Sequence, residues 1–148
     1  MSHVFDRHLY GHNHIKGCWE YHVEWCPKYW ICALEQDSKR ELVERVLKEV
    51  AGDIGVDVLE LAVMPDHVHV LVRCFKPMNP SYLLFRFKGR SSYEMFKQHP
   101  NFRKRYPRGH FWSRGNFCRS VGADLDIERN YIRNQQDTHQ THLPQWAS

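Results

Sequence analysis

The stretch from Val56 to Cys74 leaves the chain few ways to fold. Val56 to Val63 is rich in β-branched and apolar residues, Met64-Pro65-Asp66 is a short turn, and His67 to Cys74 reads as another strand, so the two form a hairpin. Successive residues of a strand point to opposite faces. Val68, Val70 and Val72 therefore share the face turned to a core, and His67 and His69 project together from the sheet's outer face.

The flanking segments supply the rest of a sheet and its cover. Trp19 to Cys26 carries aromatic and β-branched residues and ends at Pro27, which suits a first strand. Asp37 or Ser38 can cap a helix to about Ala51, with Leu42, Val43, Val46, Leu47 and Val50 as its apolar stripe and Gly52 at its C-terminal end. A helix from about Ser81 to Gln98 follows Pro77 and Pro80. A basic loop with proline and glycine leads to a short strand at Phe117–Val121, and Asp124 or Asp126 can cap a last helix from about Leu125 to Thr138. The order β-α-β-β-α-β-α predicts an α+β fold, an antiparallel ferredoxin-like or RRM-like sheet with helices mainly on one face. One domain fits the 148 residues, with an irregular arm over 1–17, a core over 18–138 and a frayed tail over 139–148.

Composition narrows the function. Hydrophobic residues make up 42% and charged residues 26%, and no apolar run approaches the roughly 20 residues of a membrane span, so a cytoplasmic protein without membrane association is expected. Five cysteines, an odd number without Cys-x-x-Cys spacing, argue against a disulfide framework or a zinc knuckle and for reduced, mostly buried thiols. The net charge is only +4, but 12 of the 21 Lys and Arg lie between Arg73 and Arg119, against the single acid Glu94. Tyr82, Phe85, Tyr93 and other aromatics interleave with them. Cations attract phosphates and flat rings stack on unpaired bases, so Arg86, Lys88, Arg90, Lys104, Arg105, Arg108 and Arg114 are candidate DNA contacts. A solvated basic face with core aromatics between would look the same.

Two constellations carry chemistry. His67 and His69 place two imidazoles a few ångströms apart, a natural beginning for a metal site, although a His pair on an exposed sheet is also common. Asp66 can orient the first imidazole from behind or simply serve the turn. Tyr131 and Gln135 are four residues apart and share a helix face. A phenol with its pKa near about 10 is a weak nucleophile at neutral pH, yet beside a divalent cation that polarises a phosphate it can attack phosphorus. Alone, a helical tyrosine more often packs. The histidines of residues 1–17 show no periodicity that would fix a ligand geometry.

Together these pieces resemble the IS200/IS605 transposases, the Y1 members of the HUH endonuclease superfamily. The matching blocks are Tyr21–Tyr29, Val63–Val72, Lys88–Ser92, Phe111-Trp112-Ser113 with Gly115, and Tyr131–Gln135, in order over some four-fifths of the chain. The His-hydrophobe-His and Tyr-x-x-x-Gln blocks are the most specific. The resemblance implies the HUH fold, and Mg²⁺ or Mn²⁺ held by His67, His69 and Gln135. It implies Tyr131 as the nucleophile that cleaves and rejoins single-stranded DNA at insertion-sequence ends through a 5′-phosphotyrosine. It further implies hairpin recognition near the element ends, and a homodimer in which the tyrosine helix of one subunit meets the histidines of the other. The arm before Gly17 lies outside the match.

Rival readings explain less. A domesticated REP-associated tyrosine transposase would share the histidines and the tyrosine, but those relatives usually close the tyrosine helix with Asn-Pro, and here Asn134 is followed by Gln135 and Gln136. A non-catalytic RRM-like single-strand-binding module would account for the sheet and its charge, not for His-x-His with Tyr-x-x-x-Gln. A zinc hydrolase lacks a third ligand at zinc spacing.

Overall fold

The structure, a computed structural model, describes residues 18–122 and 124–138, with side chains as far as Gln136. The arm and the tail expected from the sequence lie outside the described residues. Strands β1 (Trp19–Trp25), β2 (Val56–Val63), β3 (Val68–Cys74) and β4 (Phe117–Val121) form one sheet in the order β2-β3-β1-β4. Every neighbouring pair is antiparallel. Helices α1 (Asp37–Ile54), α2 (Pro80–Gln98), the short α3 (Phe102–Arg105) and α4 (Leu125–Thr138) complete the fold. This is the split arrangement of a ferredoxin-like α+β domain.

The local reasons are visible. Asp37 lies in the first turn of α1 while Gln36 takes the capping position without a side-chain hydrogen bond, so the expected Asp37 or Ser38 cap is not used. Gly52 does not end that helix. It runs on to Ile54, because Gly55 accepts the left-handed φ of 74° and its N–H donates to the Ala51 carbonyl. Asn79 caps α2, its side chain accepting from the Ser81 N–H with Pro80 in the first turn. A β-bulge interrupts the β2–β3 register between Val58 and Glu60, which turns Glu60 and Ala62 to the face opposite Leu61 and Val63.

The sheet separates two cores of unequal size. On one face Val23, Trp25, Val68, Val70 and Val72 pack against Leu42, Val43, Val46 and Leu47 of α1 and Leu83, Leu84 and Phe87 of α2. Burying each such aliphatic or aromatic side chain contributes about 1.5–3 kcal/mol. On the other face a small cluster of Ala62, Met64, Leu71, Val121 and Ile132 holds α4. Among the described helices α4 alone covers this side.

Between α2 and β4, Trp112 Nε1–H donates to the buried Ser91 Oγ at 2.9 Å, and Pro27 pairs with Trp112 by a β-bridge. This ties the basic loop to the end of β1. Cys26 and Cys74 are buried, while Cys32 and Cys118 are exposed, so the thiols are unpaired as expected but not mostly buried. Cys118 is exposed because it lies on the edge strand. Among the described residues no helix is long and apolar enough to cross a membrane.

Candidate active site

Pairing β1 with β3 places Glu24 opposite His69 and His22 opposite Leu71. Pairing β1 with β4 places Arg119 opposite His22. Since Val23 and Trp25 face the large core, His22 and Glu24 face the other way, beside His67 and His69. These two histidines do leave the sheet together, their ring centroids 4.7 Å apart. They are not on an open surface, however. His67 is 1% and His69 2% exposed, because α4 lies across this face.

Each of the two rings is held from behind by a carboxylate. His67 Nδ1 lies 2.6 Å from Asp66 Oδ1 and His69 Nδ1 2.9 Å from Glu24 Oε1. A carboxylate accepts a hydrogen bond from the ring nitrogen that faces it, so Nδ1 of each ring carries hydrogen, and in the neutral ring of His69 the lone pair is on Nε2. Asp66, which the sequence left open between turn and ring partner, contacts the first imidazole. The Nε2 of His69 is buried and has no hydrogen-bond partner among the described residues, so this nitrogen is a donor atom that a cation could take. Burial holds the pKa of His69 below its usual value despite the Glu24 carboxylate, keeping the ring in the neutral form that binds metals.

A second donor set exists. His22, Glu24 and His69 are all buried and offer donor atoms within 4.8 Å of one another, so this face can hold a divalent cation. His22 Nε2 is 3.1 Å from His69 Nδ1 and 3.2 Å from Glu24 Oε1. An ion inside that triangle would displace the His69 proton to Nε2, where no acceptor among the described residues meets it.

Helix α4 brings the remaining residues. Tyr131 stands over the imidazoles, its ring 5.7 Å from that of His69 and 6.2 Å from that of His22, both edge-on. It is 46% exposed, so one side of the ring is open to an incoming chain. Gln135, one turn further, is buried on the same helix face. Burial, and then the Glu24 and Glu128 charges, push the Tyr131 phenol above its usual pKa. Glu128, one turn before Tyr131, accepts from His22 Nδ1–H at 2.8 Å and pairs with Arg119. Glu60 of β2 pairs with Arg129 at 3.6 Å and with Arg133. His67, His69, Tyr131 and Gln135, distant in sequence, thus come to one face of one chain.

His22, Glu24, Arg119 and Glu128 are participants that the sequence reading left unassigned. The alternation His22/Glu24 against Val23/Trp25 was the available signal, and it acquires meaning only when β1 is placed beside β3.

The basic candidates lie elsewhere. Arg90, Lys104, Arg105, Arg108 and Arg114 are exposed and Arg86 is partly so. Arg86 and Arg90 stand over the rings of Tyr82 and Tyr93 on the outer side of α2, across the sheet from Tyr131. Lys88 is engaged within the protein, its ammonium donating to the Ser113 carbonyl at 2.6 Å and to Asn116 Oδ1 at 2.7 Å.

A ferredoxin-like antiparallel sheet whose far face gathers imidazoles, carboxylates and a helical tyrosine defines a class, the Y1 tyrosine transposases of the HUH fold. Residues 16–135 match the family described as "Transposase IS200 like", and the chain belongs to that family. It is 29% identical over 122 residues to the transposase for insertion sequence element IS200 of Salmonella typhimurium, covering 82% of this chain and 80% of that one. To the ISDra2 transposase TnpA of Deinococcus radiodurans it is 29% identical over 119 residues, 80% and 84% of the two chains. A crystal structure of a protein assigned as a transposase from Deinococcus radiodurans superposes with a TM-score of 0.64 at 27% identity, over 79% of this chain and 90% of that chain. The structure of a REP-associated tyrosine transposase bound to a REP hairpin superposes with a TM-score of 0.58, over 82% and 68% of the chains; at 12% identity it attests the fold. The activity is that of an IS200/IS605-type DNA transposase.

Proposed function

We propose that this transposase cleaves and rejoins single-stranded DNA with Tyr131 as nucleophile. The observation that carries the reading is the placement of the half-exposed Tyr131 ring 5.7 Å from His69, beside His67, with both imidazoles oriented by buried carboxylates. Tyr131 Oη attacks the scissile phosphorus, the bond to the 3′ oxygen breaks, and the products are a 5′-phosphotyrosine and a free 3′-OH. A 3′-OH from another DNA end then displaces the tyrosine, so no external energy source is consumed. The phenol begins protonated, because burial and nearby carboxylates raise its pKa.

His67 and His69, with Gln135, are the residues that would hold Mg²⁺ or Mn²⁺. The buried Nε2 of His69 and the hard amide oxygen of Gln135 fit such an ion. When bound, the ion supplies a positive charge that stabilises the developing charge on the phosphate oxygens. Asp66 orients the ring of His67, and α4 shields the pair from bulk water.

The exposed arginines and tyrosines of α2, with Lys104, Arg105, Arg108 and Arg114, are suited to a DNA hairpin, since they combine cations with stacking surfaces. That surface faces away from Tyr131, so a hairpin held there would send its single-stranded flank around the edge of the sheet. The working unit is a cytoplasmic homodimer that can exchange its α4 helices. Here Tyr131 lies over its own chain's histidines, and in the shared arrangement it lies over the partner's.

Labelled single-stranded oligonucleotides from element ends, incubated with Mg²⁺ or Mn²⁺, should yield a DNA–protein adduct that survives denaturation. Tyr131→Phe keeps the ring's packing and should bind the DNA yet form no adduct. An adduct with the Phe variant would remove Tyr131 as nucleophile.

A further inference from the structure

Glu24 is a buried acid on the face that carries the imidazoles, and it belongs to none of the roles above except through what it touches. Its Oε1 lies 2.9 Å from His69 Nδ1 and 3.2 Å from His22 Nε2. His22 passes the connection onward, since its Nδ1–H donates to Glu128 at 2.8 Å. Glu128 sits in the first turn of α4, three residues before Tyr131, on the same side of the helix. Arg119, opposite His22 on β4, holds the same carboxylate. A continuous set of polar contacts therefore runs from the ring of His69 to the helix that bears the tyrosine.

We infer that Glu24 and His22 are positioning residues, Glu24 holding His69 in the ring orientation and tautomer that leaves Nε2 bare, and His22 registering the tyrosine helix over that ring through Glu128. The inference rests on the reading of His69 as a metal ligand and Tyr131 as nucleophile. Three features support it. Glu24 repeats for His69 the contact that Asp66 makes with His67. The His69 Nε2 that this contact leaves bare is buried without a hydrogen-bond partner among the described residues. A carboxylate buried among imidazoles is costly unless paired, and neighbouring positions on this same face are filled by Leu71 and Ala62, so covering the face does not itself require acids.

The test uses the full-length chain and two readouts. Mn²⁺ binding is measured by calorimetry without DNA, and adduct formation is measured on single-stranded oligonucleotide at saturating Mn²⁺. Glu24→Ala should weaken Mn²⁺ binding by about 10–100-fold, the usual effect of removing a partner that orients a ligating imidazole. Glu24→Gln, whose amide oxygen still accepts from His69 Nδ1–H, should recover most of that loss. His22→Ala should leave Mn²⁺ affinity within a few-fold of wild type and lower kcat for adduct formation without raising KM for the oligonucleotide, and it should speed hydrogen exchange in α4. Should Glu24→Ala not fold, as judged by its thermal transition, Glu24→Asp shortens the reach to His69 and should still weaken Mn²⁺ binding.

Wild-type affinity in Glu24→Ala or Glu24→Asp would overturn the positioning role. So would equal loss in Glu24→Ala and Glu24→Gln, which would make Glu24 a ligand itself. Loss of Mn²⁺ binding in His22→Ala as complete as in His69→Ala would place the ion among His22, Glu24 and His69 instead. A wild-type chain that binds no Mn²⁺ and forms no adduct would overturn the underlying reading, and the positioning role with it.

Discussion

Lys88 shows how a residue can look like a DNA contact in the sequence and be engaged otherwise in the fold. Its neighbours in the chain are basic and aromatic, yet its ammonium is turned into the protein, joining α2 to Ser113 and Asn116. Burial pushes its pKa down to about 8, from 10.5 for a free lysine. Between about pH 8 and pH 10.5 the unfolded chain then binds more protons at this site than the folded chain, so its contribution to stability rises with pH across that window. The Tm of wild type relative to that of Lys88→Met should rise from pH 8 to pH 10.5 and stay level below pH 8. A difference that does not change with pH would mean that the ammonium is not held in a costly environment.

Among the elements, α4 is the one whose attachment matters most. The large core holds α1 and α2, but α4 is held by a cluster of five buried apolar residues, its own Ile132 among them, and by the ion pairs of Glu128 and Glu60. Ile132, fully buried between Tyr131 and Arg133, is its apolar anchor. Ile132→Ala removes that anchor at a cost of about 2–5 kcal/mol, drawn first from the docking of α4 rather than from the sheet. Hydrogen exchange should accelerate in α4 while β1 and β3 stay protected, and adduct formation should fall. Uniform acceleration over all elements would show that α4 is not a separate unit. The helix boundaries at Leu125 and Thr138 and those of β4 at Phe117 and Val121 were legible in the sequence, because capping residues and apolar periodicity are local signals. The end of α1 was not. Gly52 and Gly55 both suit a helix terminus, and apolar Ile54 packs against the large core, which carries the helix one turn further. The short α3 inside the basic loop was also missed, being a single turn without an apolar stripe.

At the scale of the molecule, the halves of the site can come from one chain or from two. The structure brings His69 and Tyr131 of one chain within 5.7 Å, ring to ring, while a dimer with exchanged α4 helices would combine them between chains. Mixing a His67→Ala/His69→Ala chain with a Tyr131→Phe chain should restore part of the adduct-forming activity after subunit exchange, because one site of the mixed dimer regains both histidines and Tyr131. The active species should sediment at about twice the 17.8 kDa of the chain. No rescue despite proven exchange would mean that each site is completed within its own chain, as it stands here.

What the sequence determined by itself were relations between neighbours: two imidazoles on one side of a strand, and a tyrosine and a glutamine on one side of a helix. Those follow from backbone periodicity, which needs no partner. Tertiary structure alone decided that β1 pairs with β3, so that Glu24 meets His69, and that α4 crosses the same face, so that the imidazoles are buried and His22 reaches Glu128. These contacts join residues 45 to 106 positions apart. No local preference encodes them. They exist because the valine face of the sheet must be covered by α1 and α2, which leaves the histidine face for the last helix to close.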